Sequence, residues 1–164
     1  MLIKYLTKMF AIDLARYIPL IAVVSYAAYS DYKTKHASNK IWLYAIYGLT
    51  ITIIESALYL NYIAIELEVG TVLAAFAIAY GLFELKAWGG ADAKALMTIA
   101  VSAPLFPSWF ILPHAPIFPI GVFYIACVAT LVYSIAHKSS VPLRQRKIQF
   151  LPFILIGLIV CVLL

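Results

Sequence analysis

Two aspartates, Asp31 and Asp92, are the residues of this chain whose types and placement best suit joint chemistry. Asp31 closes one long apolar stretch and Asp92 precedes another, with two further apolar stretches between them. If each of those two crosses a membrane, the chain makes an even number of crossings and both carboxylates return to one face. Two carboxylates held close together cannot both ionise cheaply, so one keeps a proton and the other acts as base. Such a pair can take a proton from a water that attacks a peptide carbonyl, while the protonated member donates to the carbonyl oxygen. The pair titrates as a unit, and neither aspartate receives a role of its own.

A structural reading of the same residues stands beside this one. Asp92 precedes the run Ala93-Lys94-Ala95-Leu96-Met97 and suits an N-cap accepting backbone N–H bonds. Asp31 would then simply offset Lys33 and Lys35 at the headgroups. The segment Gly89-Gly90-Ala91 ahead of Asp92 favours a site, because small residues let a backbone approach closely. A plain turn explains Gly-Gly equally well. Lys94 either snorkels to the interface or depresses the titration of the pair. Asn39 either caps the following helix or orients Asp31. Glu55 falls inside an apolar stretch, where an acid is a functional candidate unless Ser56 or a neighbouring tyrosine satisfies it. Glu84 and Lys86 are either solvated at the interface or line the site's entrance. His36, His114 and His137 are far apart and lack metal-ligand spacing, so no metal and no cofactor are expected. Cys127 and Cys161 lie in apolar runs without a CxxC partner and read as packing residues.

The elements that must position these residues belong in lipid. The 164-residue chain is 65% hydrophobic and 12% charged, with a mean hydropathy of +1.00. A soluble domain is roughly half apolar and a quarter charged. The expected fold is therefore an all-α integral membrane protein, one polytopic domain over residues 1–164. About six spans of near 20 residues fit: Ala15–Ser30, Ile41–Leu60, Tyr62–Phe83, Ala95–Leu112, Pro116–Ala136 and Ile148–Leu164. The joints after the first, third and fifth spans hold Lys33, Lys35, Lys40, Lys86, Lys94, Lys138, Arg144, Arg146 and Lys147, nine of the twelve basic residues. The joints around Asn61 and His114 hold none, so the basic side is read as cytoplasmic, in a plasma membrane.

Lys4, Lys8 and Arg16 oppose that orientation, and Lys4 and Lys8 resemble the n-region of a signal peptide. Asp13 and Arg16 interrupt the apolar run, and residues 1–14 are read as an interfacial segment. Pro104, Pro107, Pro113, Pro116 and Pro119 predict a kinked hairpin between the fourth and fifth spans. Tyr32, Trp42, Trp88 and Trp109 suit an aromatic belt beside membrane lipids. The net charge of +5 forms no aromatic-studded stripe, and no nucleic acid is expected as a partner.

At the aspartates the sequence resembles the type IV prepilin peptidase family, in particular its archaeal preflagellin (pre-archaellin) peptidase branch. The family's Gly-x-Gly-Asp-x-Lys stretch is matched by Gly89-Gly90-Ala91-Asp92-Ala93-Lys94, with Ala91 in place of the second glycine. Its first aspartate, followed by basic residues and an asparagine eight positions on, is matched by Asp31, Lys33, Lys35 and Asn39. Ala37-Ser38 departs from the Ile-Pro of many members. Phe118-Pro119 and Ile148-Gln149-Phe150-Leu151-Pro152-Phe153 are similar to the archaeal branch. The resemblance implies a GxGD-type aspartyl protease architecture. It also implies cleavage of class III signal peptides of preflagellin or prepilin-like precursors at the cytoplasmic face, by Asp31 and Asp92. Bacterial members that also N-methylate usually carry a four-cysteine zinc insert; nothing like it is present, which implies a peptidase without methyl transfer. Two other functions compete with this reading: a small ion- or proton-coupled transporter using Glu55, Asp31 and Asp92, and a non-enzymatic membrane scaffold. The presenilin-like proteases also use a glycine-flanked aspartate, but their Pro-Ala-Leu element is absent.

Overall fold

The computed structural model describes residues 2–34, 39–59, 62–104, 118–136 and 150–163. These form six helices: α1 (Leu2–Thr34), α2 (Ile41–Tyr59), α3 (Tyr62–Glu84), α4 (Gly90–Ser102), α5 (Phe118–Ala136) and α6 (Leu151–Leu163). Phe10–Thr34, Glu66–Glu84 and Phe118–Ala136 are long and apolar enough to cross a membrane, and Ile41–Glu55 and Leu151–Leu163 are shorter apolar helices. Such an all-helical set fits a multi-pass membrane protein, because helices satisfy their own backbone groups in lipid. Lys35, His36, Ala37, Ser38, Asn61, Pro107, Trp109, Pro113, His114, Pro116, His137, Lys138, Arg144, Arg146, Lys147, Ile148 and Gln149 lie outside the described residues.

Two expected boundaries move. No break separates residues 1–14 from the first span, since α1 is one helix from Leu2. The reason is chemical: Asp13 and Arg16, which made the run look interrupted, are buried inside the bundle rather than solvated. The fourth span was expected over Ala95–Leu112, yet α4 begins at Gly90 and ends at Ser102. Its 13 residues rise only about 20 Å, short of a hydrocarbon core of roughly 30 Å.

Despite its length α4 is the hub, touching each of the other five helices. Its sequence explains this: Ala91, Ala93, Ala95 and Ala100 keep its outline thin on all sides. Ala95, Ile99 and Ala103 pack into one core with Tyr17, Leu20 and Val24 of α1, Phe118 and Val122 of α5, and Ile154 and Leu158 of α6. The α2–α4 crossing is at backbone contact, since a Cβ at Gly48 would lie 2.6 Å from Ser102 Cα.

Pro19 sits within α1 and has no N–H to give Ala15. Two tyrosines of α2 take over the carbonyls in this turn. Tyr47 donates to Ala15 O (3.0 Å) and Tyr44 to Arg16 O (2.6 Å). Beside them the Arg16 guanidinium pairs with the Glu55 carboxylate, both buried. At 1.5 Å per residue this pair lies about 22 Å along α1 from Asp31.

Candidate active site

The buried seam of α1 runs through Tyr17, Leu20, Val24 and Ala27, and Asp31 is its next member. Spacings of three and four residues keep that seam on one helical face. Asp31 is thereby turned into the bundle near the end of α1 rather than out to the headgroups, and it is 9% exposed. Asp92 likewise heads the packed face of α4 that continues in Ala95, Leu96 and Ile99, and is 7% exposed.

The turn ahead of Asp92 is built by the end of α3. Lys86 adopts a left-handed backbone (φ 56°). Its N–H donates to Phe83 O (2.9 Å) and that of Ala87 to Leu82 O (3.0 Å), the pattern of a Schellman cap. Trp88 then packs edge-on against Phe123, with 5.4 Å between centroids, and against Phe150 at 4.7 Å, which pins the turn between α5 and α6. Trp88 is half-buried in this role rather than a belt residue facing lipid.

Gly89 is the N-cap of α4 and Asp92 is the third residue of its first turn. The sequence-based N-cap reading of Asp92 is thus displaced by three positions. Gly89 N–H donates to Asp92 Oδ2 (3.2 Å). Oδ1 is buried without a hydrogen bond of ordinary geometry. Burial is the main cause that pushes the Asp92 carboxyl up to about 6; the Gly89 N–H opposes it, the charge of Asp31 adds to it, and the Leu151 amide at the start of α6 opposes it. Asp31 and Asp92 are therefore near enough to act on each other electrostatically.

Neither glycine is demanded by packing among the described residues. No glycine among the described residues has a positive φ. A Cβ at Gly89 would meet Asp92 Oδ2 at 3.5 Å, and one at Gly90 would meet Phe83 at 3.7 Å, both ordinary contacts. Ala91 is half-buried beside them. Lys94 and Asn39 meet: Lys94 Nζ donates to Asn39 Oδ1 (2.7 Å). Lys94 thus places its ammonium in an exposed hydrogen bond on the joint before α2. The Asn39 carbonyl accepts from Trp42 N–H (3.1 Å) ahead of α2. Glu84 and Lys86 are both exposed.

Sequence reasoning missed Arg16 as the partner of Glu55. The signal was present, since both charges lie at similar distances from the joint between the first two helices. Trp88 as the pin of the turn carried no comparable signal.

A buried carboxyl that holds its proton near neutrality, beside a second carboxyl, can share one proton between them and act as acid and base. The family model described as the type IV leader peptidase family matches residues 18–135, which include both aspartates and the Lys94–Asn39 contact. The chain belongs to the type IV leader peptidase family. It is accordingly a protease, of the kind that processes prepilin-like precursors. Among curated proteins none matches the chain.

Proposed function

We propose that this family member is an aspartic endopeptidase in which Asp31 and Asp92 activate the attacking water. The observation that carries the reading is the electrostatic contact between Asp31 and a buried Asp92 whose carboxyl is raised to about 6. Up to about pH 6 a proton is then held at the pair, the state in which one acid takes a proton from water and the other donates to the scissile carbonyl. The substrates are class III signal peptides of preflagellin or prepilin-like precursors. These carry a short basic leader, a small residue at the cut and an apolar helix. The basic joints Lys33–Lys40 and Lys86–Lys94 support a cytoplasmic site, at the face where such a leader remains. Cleavage proceeds without methyl transfer, and the active chain is a multi-pass plasma-membrane protein.

Glu55 is held in an ion pair with Arg16, so nothing in its surroundings favours an ion-carrying role. The test is processing of a preflagellin and a prepilin in membranes containing wild-type protein, Asp31→Asn or Asp92→Asn. Each single change should abolish cleavage while the protein remains folded. Full processing by both variants would end the aspartic reading.

A further inference from the structure

Each aspartate is followed two residues later by a lysine: Asp31 by Lys33 and Asp92 by Lys94. Two positions on a helix are about 200° apart, so each lysine leaves its helix on the side away from its aspartate. Both ammonium groups are then occupied elsewhere. Lys33 Nζ sits 6.0 Å from the Tyr29 ring centroid, and Lys94 Nζ is 2.7 Å from Asn39 Oδ1. Asn39 stands eight residues beyond Asp31, so the joint that holds the Lys94 ammonium is the one that follows Asp31.

We propose that Asn39 is a positioning residue: by accepting from Lys94 it keeps that ammonium on the α1–α2 joint and away from Asp31 and Asp92, so that the two acids retain their shared proton. As a tie between helices one exposed hydrogen bond contributes little. As a placement of charge it matters more, because a cation within reach of a carboxylate lowers its titration by about one to three units. A neutral acceptor suits this task. An aspartate at position 39 would hold Lys94 as firmly but would add a third acid to the site.

Among the described residues the charged groups around Asp92 are few. From α1 come Asp31 and Lys33, from the joint before α2 Lys40, from the end of α3 Glu84 and Lys86, and from α4 itself Lys94; α5 and α6 carry no acidic or basic side chain. Lys33, Lys40, Glu84 and Lys86 are exposed, whereas Lys94 is half-buried against the bundle end. Lys94 is thus the cation best able to reset the pair.

The inference rests on the peptidase reading for its consequence but not for its test. Carbon NMR of protein labelled at aspartate, in detergent micelles, follows three carboxyls, those of Asp13, Asp31 and Asp92. Asn39→Ala should lower the Asp92 titration by about one unit or more, and the alkaline limb of precursor cleavage should fall with it. Lys94→Met should leave that titration where it is or raise it. The Asn39→Ala/Lys94→Met double variant should return it to the wild-type position, and Asn39→Gln should hold it there. An unmoved titration in Asn39→Ala overturns the proposal. So does a double variant that keeps the shift of Asn39→Ala, since the effect would then come from the loop and not from the ammonium. If Asp92 moves as expected while wild-type protein cleaves no precursor, the positioning of Lys94 stands and the peptidase reading fails.

Discussion

Replacing Asp92 by asparagine should make the protein more stable while removing its activity, and the gain should depend on pH in a defined way. The native carboxyl titrates at about 6 against an ordinary value of 3.8. A rise of about two units corresponds to about 3 kcal/mol between the protonated and ionised forms. The sign follows from the direction of the shift. Below the unfolded value both states carry the proton and the group imposes no penalty. Between that value and about 6 the unfolded chain ionises while the native site resists, so stability falls as pH rises. Above this window the whole penalty is present. Asparagine keeps an oxygen for the Gly89 N–H and never ionises, so it escapes the loss.

Reversible SDS unfolding in mixed micelles, run from about pH 4 to about pH 8, reads the difference directly. The two proteins should be nearly equal at the acid end. At the alkaline end Asp92→Asn should lead by up to about 3 kcal/mol. A constant difference across the range, or a wild type that is the more stable at the alkaline end, would refute the argument that burial of this carboxylate is held against a cost.

Three further outcomes are expected. Glu55→Gln or Arg16→Met should each destabilise the fold by about 3–5 kcal/mol, because each leaves an uncompensated group in the bundle, and Arg16→Met with Glu55→Leu should recover most of it; unfolding free energies of the three variants decide this. Tyr47→Phe should cost about 1 kcal/mol by leaving Ala15 O unmet, and the same change in a Pro19→Ala background should cost almost nothing, since residue 19 then supplies its own N–H. The coupling energy of that double-mutant cycle is the measurement. Lys86→Gly should stabilise by about 1 kcal/mol, because only glycine takes the left-handed backbone without penalty, and a thermal melt is enough to detect it.

The class of fold was legible because composition alone forces the chain into lipid. The shared face of Asp31 and Asp92 was legible because it depends on how many helices separate them and not on where each begins. The start of α1 was obscured by Asp13 and Arg16, whose charges read as a boundary when neighbours are unknown. The burial of Arg16 depends on Glu55, thirty-nine residues beyond it. Depth offered a clue: Arg16 lies about 27 Å before the end of α1 and Glu55 about 21 Å after the start of α2, so an antiparallel pair brings them level. The short α4 was not legible, since the apolar run continues past Ser102. The Lys94–Asn39 contact spans 55 positions, and nothing local in either segment announces it.

Capping and the proposed catalysis at Asp92 do not compete. A carboxylate has two oxygens, and here they have different surroundings. Oδ2 is fixed by the Gly89 N–H at the start of α4, where the helix dipole also favours negative charge. Oδ1 is buried and has no hydrogen bond of ordinary geometry, although the Leu151 amide faces the carboxyl. A purely structural cap would leave both oxygens satisfied by protein or open to solvent, because a buried oxygen without a donor is expensive. An acid that must exchange a proton needs one oxygen held still and the other unclaimed. The glycines fit the same logic. Gly89 and Gly90 have ordinary backbone angles and room for a Cβ as far as the chain itself is concerned. Among the described residues their smallness serves no contact within the fold, which suits the close approach of a peptide backbone that the proposed cleavage requires.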